Sequence, residues 1–159
     1  MDASRQGARN RNAGHGYERD VANFLASELS LDIVTSRALS GGTAIGADIA
    51  TVLKRDDGGR PVSTVATVHG WSVECKASTG PHKITEWMRQ ARSQSDSELY
   101  VVIAKNPRKL AAGSTVYLTG NALLWWLAKS PRDDARVRTI DIITWVDLLR
   151  ADVVVADRD

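Results

Sequence analysis

A single cysteine, a single phenylalanine and four prolines are all that this chain of 159 residues holds of those types, and none of its apolar runs approaches the ~20 residues of a membrane span. No membrane association is expected. Cys75 has no partner for an internal disulfide and no second thiol for a structural zinc site, which fits a reducing compartment. Histidine is scarce too: His15, His69 and His82 lie scattered without ligand spacing, so no zinc site is expected and all three read as solvated surface residues. Nor does one sign of charge dominate. A formal net charge of +2 is too small to mark a nucleic-acid binder by itself. The opening residues, Met1-Asp2-Ala3-Ser4-Arg5, lack the apolar segment of a signal peptide, and the expected location is the cytoplasm.

What is present belongs to a globular protein: 43% of residues are hydrophobic and 25% charged, on a length that suits one domain. The charge is unevenly placed. Arg5, Arg9, Arg11, His15 and Arg19 crowd the start among Gly, Asn and Ala, a mix that predicts a flexible basic arm over 1–15 and a single folded domain over 16–159. On a nucleic-acid-binding domain such an arm contacts phosphates, because Arg and Lys displace condensed counterions; on any other it is a solvated terminus. Arg5, Arg9, Arg11 and Arg19, together with Arg37, are the candidate DNA-contacting cations.

Val21, Phe24, Leu25 and Leu29 recur every three to four residues and predict an amphipathic helix from Tyr17 to Leu29. Ile33 to Val34 reads as a short strand, and residues 36–43 as a loop of small residues. A strand is expected from Ala47 to Leu53, a reversal at Asp56-Asp57-Gly58-Gly59-Arg60-Pro61, then strands from Val62 to Val68 and from Trp71 to Ala77. Ile84, Trp87, Met88 and Ala91 predict a second helix to about Ser93, and Leu99 to Ala104 is the compact apolar run of a strand covered on both faces. Val116 to Leu118 is a further strand, Thr119 caps a helix to about Lys129 ended by Ser130-Pro131, Ile140 to Ile143 is a late strand, and Thr144 opens a last short helix. The order implies an α/β (α+β) fold, a mixed central sheet flanked by helices.

Three ionisable residues sit inside this apolar pattern. Asp48 falls within the second expected strand, and Glu74 and Lys76 flank Cys75 on the fourth. Two positions apart on a strand, Glu74 and Lys76 point to one face, while Cys75 points to the other, towards the core. Carboxylates and an ammonium among buried strands need pairing or a metal. Hard oxygen ligands suit magnesium or manganese, which take one or two carboxylates and keep several waters; Asp48, Glu74 and the Cys75 carbonyl are the candidate set. Lys76 then stands where its charge orients a nucleophile or steadies a phosphoryl transition state. Glu18 on the first helix and Gln90 on the second are further candidates, a metal contact and a holder of nucleophile or phosphate; the plain alternative for both is an ordinary surface side chain. For the set of three, the plain alternative is an ion pair at a sheet edge.

Gly16-Tyr17-Glu18-Arg19-Asp20, the small-residue loop from Ser40 to Thr43, Gly46-Ala47-Asp48-Ile49 and Val73-Glu74-Cys75-Lys76 together resemble archaeal Holliday junction resolvases and their phage relatives, within the PD-(D/E)xK nuclease superfamily. The resemblance runs from about Gly14 to Ala104. It implies a restriction-endonuclease-like fold, a homodimer, and paired magnesium-dependent incisions in four-way DNA, with manganese as a substitute. The setting it implies is DNA recombination and repair, in the host cytoplasm for a phage-encoded member. It also assigns a metal-site role to Glu18, Asp48 and Glu74, a catalytic role to Lys76, a contribution to cleavage to Ser40, and a role to Gln90 by similarity to the helix glutamine of related nucleases. Three departures stand out. Ala47 replaces the proline before the aspartate, and twenty-six positions separate Asp48 from Glu74, which either extends the hairpin over 54–70 or inserts an extra strand. The part beyond Ala104, with Trp125, Trp126 and Trp145, has no counterpart; Trp125 and Trp126, on a helix, read as core or dimer-interface residues rather than base-stacking platforms.

Two other functions remain open at this point. A restriction-like or exonuclease-type member of the superfamily would act on duplex DNA or on ends, and a catalytically silent DNA-binding protein would keep the fold without the chemistry. A nucleotide-binding role is not expected, because Gly41-Gly42-Thr43-Ala44-Ile45-Gly46 lacks the Gly-Lys-Ser/Thr ending of a phosphate-binding loop and precedes a strand.

Overall fold

Tyr17, Val21, Ala22 and Leu25 share one face of the first helix, α1 (Ala3–Leu29), and that face is buried. Val21 and Leu25 belong to the expected stripe, whose other members, Phe24 and Leu29, pack partly buried against the same cluster. The helix begins earlier than its apolar pattern. Residues 3–15, expected as a flexible arm, are helical, although Gln6, Arg9, Asn10 and Arg11 are exposed. Once the packed half is nucleated, each added residue gains a backbone hydrogen bond without a fresh nucleation cost, and Ala, Arg and Gln propagate well. The computed structural model describes residues 3–39, 46–95, 97–128 and 135–156, and among them no helix is long and apolar enough to cross a membrane. Ser40, the Gly41-Gly42 loop and the expected Ser130-Pro131 helix end lie outside the described residues.

Among the described residues seven strands form two sheets where the sequence implied one. The first holds β1 (Ile33–Thr35), β2 (Ile49–Arg55) and β3 (Pro61–Val65), all antiparallel. The second holds β4 (Ser72–Lys76), β5 (Tyr100–Ala104), β6 (Thr115–Thr119) and β7 (Val137–Asp141) in that order, with β4 and β5 parallel and the others antiparallel. The parallel pair needs a crossover, which α3 (Ile84–Gln94) provides. A helical turn, α2 (Ser36–Leu39), interrupts the expected loop after β1.

β5 alternates as a doubly covered strand does. Val101 and Ile103 face the cluster built by α1 and the last helix, α5 (Ile142–Ala156), whereas Tyr100, Val102 and Ala104 face Trp87, Met88 and Ala91 of α3. β4 keeps the same alternation. Val73 and Cys75 join the α1 cluster, so Glu74 and Lys76 stand on the α3 side, as expected from their spacing.

Chain reversals explain where the strands stop. Asp56 Oδ1 accepts from the N–H groups of Gly58 (3.0 Å) and Arg60 (2.8 Å), closing the β2–β3 turn, and Arg55 fixes its base by a two-pronged contact with Asp32. Beyond it, Val68 and Trp71 exchange both backbone hydrogen bonds around His69 and Gly70, each at positive φ, so the expected strand from Val62 to Val68 ends at Val65 and a second tight reversal follows. Thr119 Oγ1 accepts from Ala122 N–H at 3.1 Å and starts α4 (Gly120–Ala128), as expected. The last helix starts at Ile142 rather than Thr144, because Asp141 is its cap: its carboxylate accepts from the Thr144 N–H (2.9 Å) and hydroxyl (2.7 Å).

Trp71 packs edge-on against Trp126 (5.5 Å, 88°) and Trp145 (6.3 Å, 86°) at the centre of the larger cluster. Among the described residues the buried indole N–H groups of Trp71 and Trp145 have no oxygen or nitrogen acceptor, and the perpendicular rings leave π faces as weak ones. Trp126 is a core residue, as expected, and Trp145 is one as well; the Trp125 side chain lies outside what is described. His82 departs from its reading as a solvated surface histidine. Its ring is half-buried, with Nδ1 2.7 Å from the Tyr117 hydroxyl and Nε2 3.2 Å from the Lys105 carbonyl. The carbonyl needs a donor, so Nε2 carries the proton and Tyr117 donates to Nδ1.

Candidate active site

The seam between the two sheets is where the ionisable residues gather. Asp48 lies just before β2, in a bend rather than within the strand, and its N–H donates to the Val73 carbonyl at 3.0 Å. Its side chain then takes the next rung: Oδ2 accepts from Cys75 N–H at 2.7 Å. These two bonds show that Val73 and Cys75 present their backbone groups to the open edge of β4, which directs the Cys75 carbonyl to the same side. The ladder breaks into two sheets here because a carboxylate occupies the place of a strand carbonyl.

Position 46 makes that bend possible. Gly46 has φ +84°, and a Cβ there would sit 2.7 Å from the Gln94 carbonyl oxygen at the end of α3. Ser36, at the start of α2, donates from its hydroxyl to the Ala47 carbonyl and from its N–H to the Asp48 carbonyl, the latter at 2.9 Å. The same short helix aims Arg37 at Glu18, with Nε 3.2 Å from Oε2.

Glu74 is only 6% exposed and Glu18 7%, so neither is the surface carboxylate that the plain reading allowed for Glu18. Lys76 Nζ donates to Glu74 Oε1 at 2.7 Å and to Gln90 Oε1 at 2.8 Å. Burial, and next the nearby Glu74 charge, push the Asp48 carboxyl up to about 7; the Cys75 hydrogen bond pulls the other way. Burial also holds the Cys75 thiol well above its ordinary range, in keeping with a side chain that faces the core.

Glu18, Asp48, Glu74, Cys75, Lys76 and Gln90 line one cleft of about 330 Å³. Of the expected catalytic residues the structure gathers all but Ser40, which is not described. Arg37 reaches the same cleft, while Arg9, Arg11 and Arg19 are exposed outside its lining; the Arg5 side chain is not described. Gly46, read from the sequence only as part of a motif, lines it too, as do Ser36 and Gln94, which escaped the sequence reading. Gln94 had a signal, since it follows Gln90 by one helical turn; Ser36 had none.

Among the described residues no three His, Cys, Asp or Glu side chains form a ready-made metal cage. The donor chemistry nevertheless suits a hard divalent ion: the buried Glu74 carboxylate on β4, the half-buried Asp48 carboxyl in the bend beside it, the Cys75 carbonyl on the same edge, and an Asp48 ionisation that burial and its neighbour oppose. Magnesium draws one or two carboxylates from its protein and fills its shell with water. No protein-family model, no curated protein and no solved structure matches this chain.

Proposed function

We propose that this cleft is the active site of a magnesium-dependent DNA endonuclease built on a PD-(D/E)xK, restriction-endonuclease-like fold. One observation carries the reading: Asp48, from the bend that leads into β2, and Glu74 and Lys76, from β4 of the other sheet, converge in a single cleft with Glu18 and Gln90 from the flanking helices. An edge ion pair alone would explain Glu74 with Lys76. It leaves unexplained why the half-buried Asp48 is held beside the buried Glu74 and why Glu18 is drawn in as well. Buried like charges without a role are costly.

In this reading Asp48, Glu74 and the Cys75 carbonyl would hold the metal, and Glu18, now paired with Arg37, would support it. The ion supplies Lewis-acid charge that neutralises the phosphate and readies water for attack. Lys76 is held between Glu74 and Gln90, which leaves its ammonium one fixed position from which to meet negative charge developing on the phosphate. Gln90 keeps its amide N–H2 for the nucleophile or a phosphate oxygen, because its Oε1 is spent on Lys76. Four-way junction DNA, cut by a homodimer, is the substrate that the sequence motifs favour.

The test is incubation of the purified protein with labelled four-way junction, linear duplex and single strand, with magnesium or with chelator. Symmetric, magnesium-dependent nicking of the junction is the expected result, absent in Glu74→Gln. Cleavage of linear DNA alone moves the substrate to the restriction-like class. Metal-independent cleavage, or none on any substrate, overturns the proposal.

A further inference from the structure

A second cleft, of about 370 Å³, begins where the first one ends. Lys76 lines both, so it forms the wall between them. The second cleft runs between the basic half of α1, represented by Asn10, and the segment from β4 into α3, represented by Ser78, Thr79 and Lys83. Its floor is Trp87, which is buried and holds the start of α3 against β5 and β6. Ser78 is committed locally, since its hydroxyl oxygen accepts the Gly80 N–H at 3.2 Å and shapes the turn. Thr79, Lys83 and Asn10 are exposed. Lys83 has one acidic neighbour, Glu86 on the same rim, at a loose 3.9 Å.

This groove has no use in the chemistry proposed above, because the Lys76 ammonium is turned away from it towards Glu74 and Gln90. It does have the attributes of a backbone track: an ammonium, an amide and a hydroxyl, none deeply buried, beside the catalytic lysine. We infer that the second cleft carries the nucleic-acid strand onward from the scissile phosphate, with Lys83, Thr79 and Asn10 contacting a neighbouring phosphate. The substrate is then a polynucleotide rather than a small phosphodiester, and the inference rests on the phosphodiesterase reading of the first cleft. Glu86 opposes the anion, so its removal should tighten binding.

Bis(p-nitrophenyl) phosphate, which is small enough to occupy the first cleft alone, separates the two ideas. The wild type and Lys83→Gln/Thr79→Ala, both exposed changes, are compared for hydrolysis of that ester with magnesium and for affinity to a fluorescein-labelled DNA duplex in calcium, with Lys54→Gln on the distant hairpin as control. The double variant should lose roughly three- to tenfold in DNA affinity, with a salt slope smaller by about 1, and Glu86→Gln should gain affinity. Ester hydrolysis by the double variant should match the wild type. An unchanged DNA affinity, or a loss equal to that of Lys54→Gln, overturns the groove while leaving the nuclease reading intact. A parallel fall in ester hydrolysis also overturns it, since the residues would then act by positioning Lys76. If the wild type hydrolyses neither ester nor DNA, both readings fail together.

Discussion

The Cys75 backbone N–H donates to Asp48 Oδ2 at 2.7 Å across the seam between the two sheets, so one side chain both closes the fold and furnishes the site. Asp48→Asn keeps an oxygen in that place, whereas Asp48→Ala leaves the Cys75 N–H without its acceptor and should cost about 1–3 kcal/mol more than the Asn variant. Chemical denaturation of the two variants side by side measures the difference. Equal midpoints would show that the bond contributes nothing to the seam.

Asp48 also sets a pH dependence. Its carboxyl is pushed up to about 7 by burial, then by Glu74, against about 3.9 in an unfolded chain. Between those values the native state keeps a proton that the unfolded state has released. The stabilisation is therefore full below about pH 4 and is lost as pH rises through about 7. With chelator present, the melting temperature should be higher at pH 5 than at pH 8. Magnesium or manganese should recover stability at pH 8, because a cation replaces the proton, and Asp48→Asn should flatten the profile. A chelated wild type that melts alike at both pH values would contradict this account.

Cleavage should respond to charge at constant shape. Glu74→Gln preserves volume and removes a ligand, and Lys76→Met preserves the stem and removes the ammonium; each should slow DNA cleavage roughly 10²–10³-fold or more. Circular dichroism and DNA affinity in calcium serve as folding controls. Wild-type rates in either variant would remove the site.

Gly46→Ala is expected to be costly although no catalytic group is touched. Both the positive φ and the 2.7 Å approach to the Gln94 carbonyl forbid a Cβ, and the strain should reach about 1–3 kcal/mol. Because the bend carries Asp48, cleavage should fall along with the melting temperature. Normal stability in this variant would mean that the bend tolerates a side chain.

Asp141→Ala should loosen the start of α5 at a cost of about 1 kcal/mol, the usual worth of an N-cap. The Thr144 N–H and hydroxyl hold the Asp141 carboxyl below its ordinary range, so this contribution is present at neutral pH and disappears on acidification through that lowered value. Comparing the melting temperatures of variant and wild type at pH 7 and in strong acid tests it; the gap should close in acid.

Much of this was legible before any coordinates. Alternation placed Glu74 and Lys76 on one face and Cys75 on the other, because side-chain direction along a strand is a local property with a period of two. The stripe of α1, the crossover helix with Gln90 and the doubly covered β5 followed from periodicity in the same way. The site residues on those elements were therefore within reach. The helical state of 3–15 was not, since its residues carry no apolar stripe and depend on the packed half for nucleation.

Only the tertiary structure decided the rest, and the reason is common to each case. Asp48 leaves its strand to bond across to β4, splitting the expected sheet in two; Arg37 meets Glu18; His82 is bridged between Tyr117 and the Lys105 carbonyl. Each contact joins residues far apart in the chain and satisfies a polar group that burial would otherwise leave unpaired. Periodicity shows which way a side chain points from its own backbone. Which distant group it meets depends on how the elements close around a shared core.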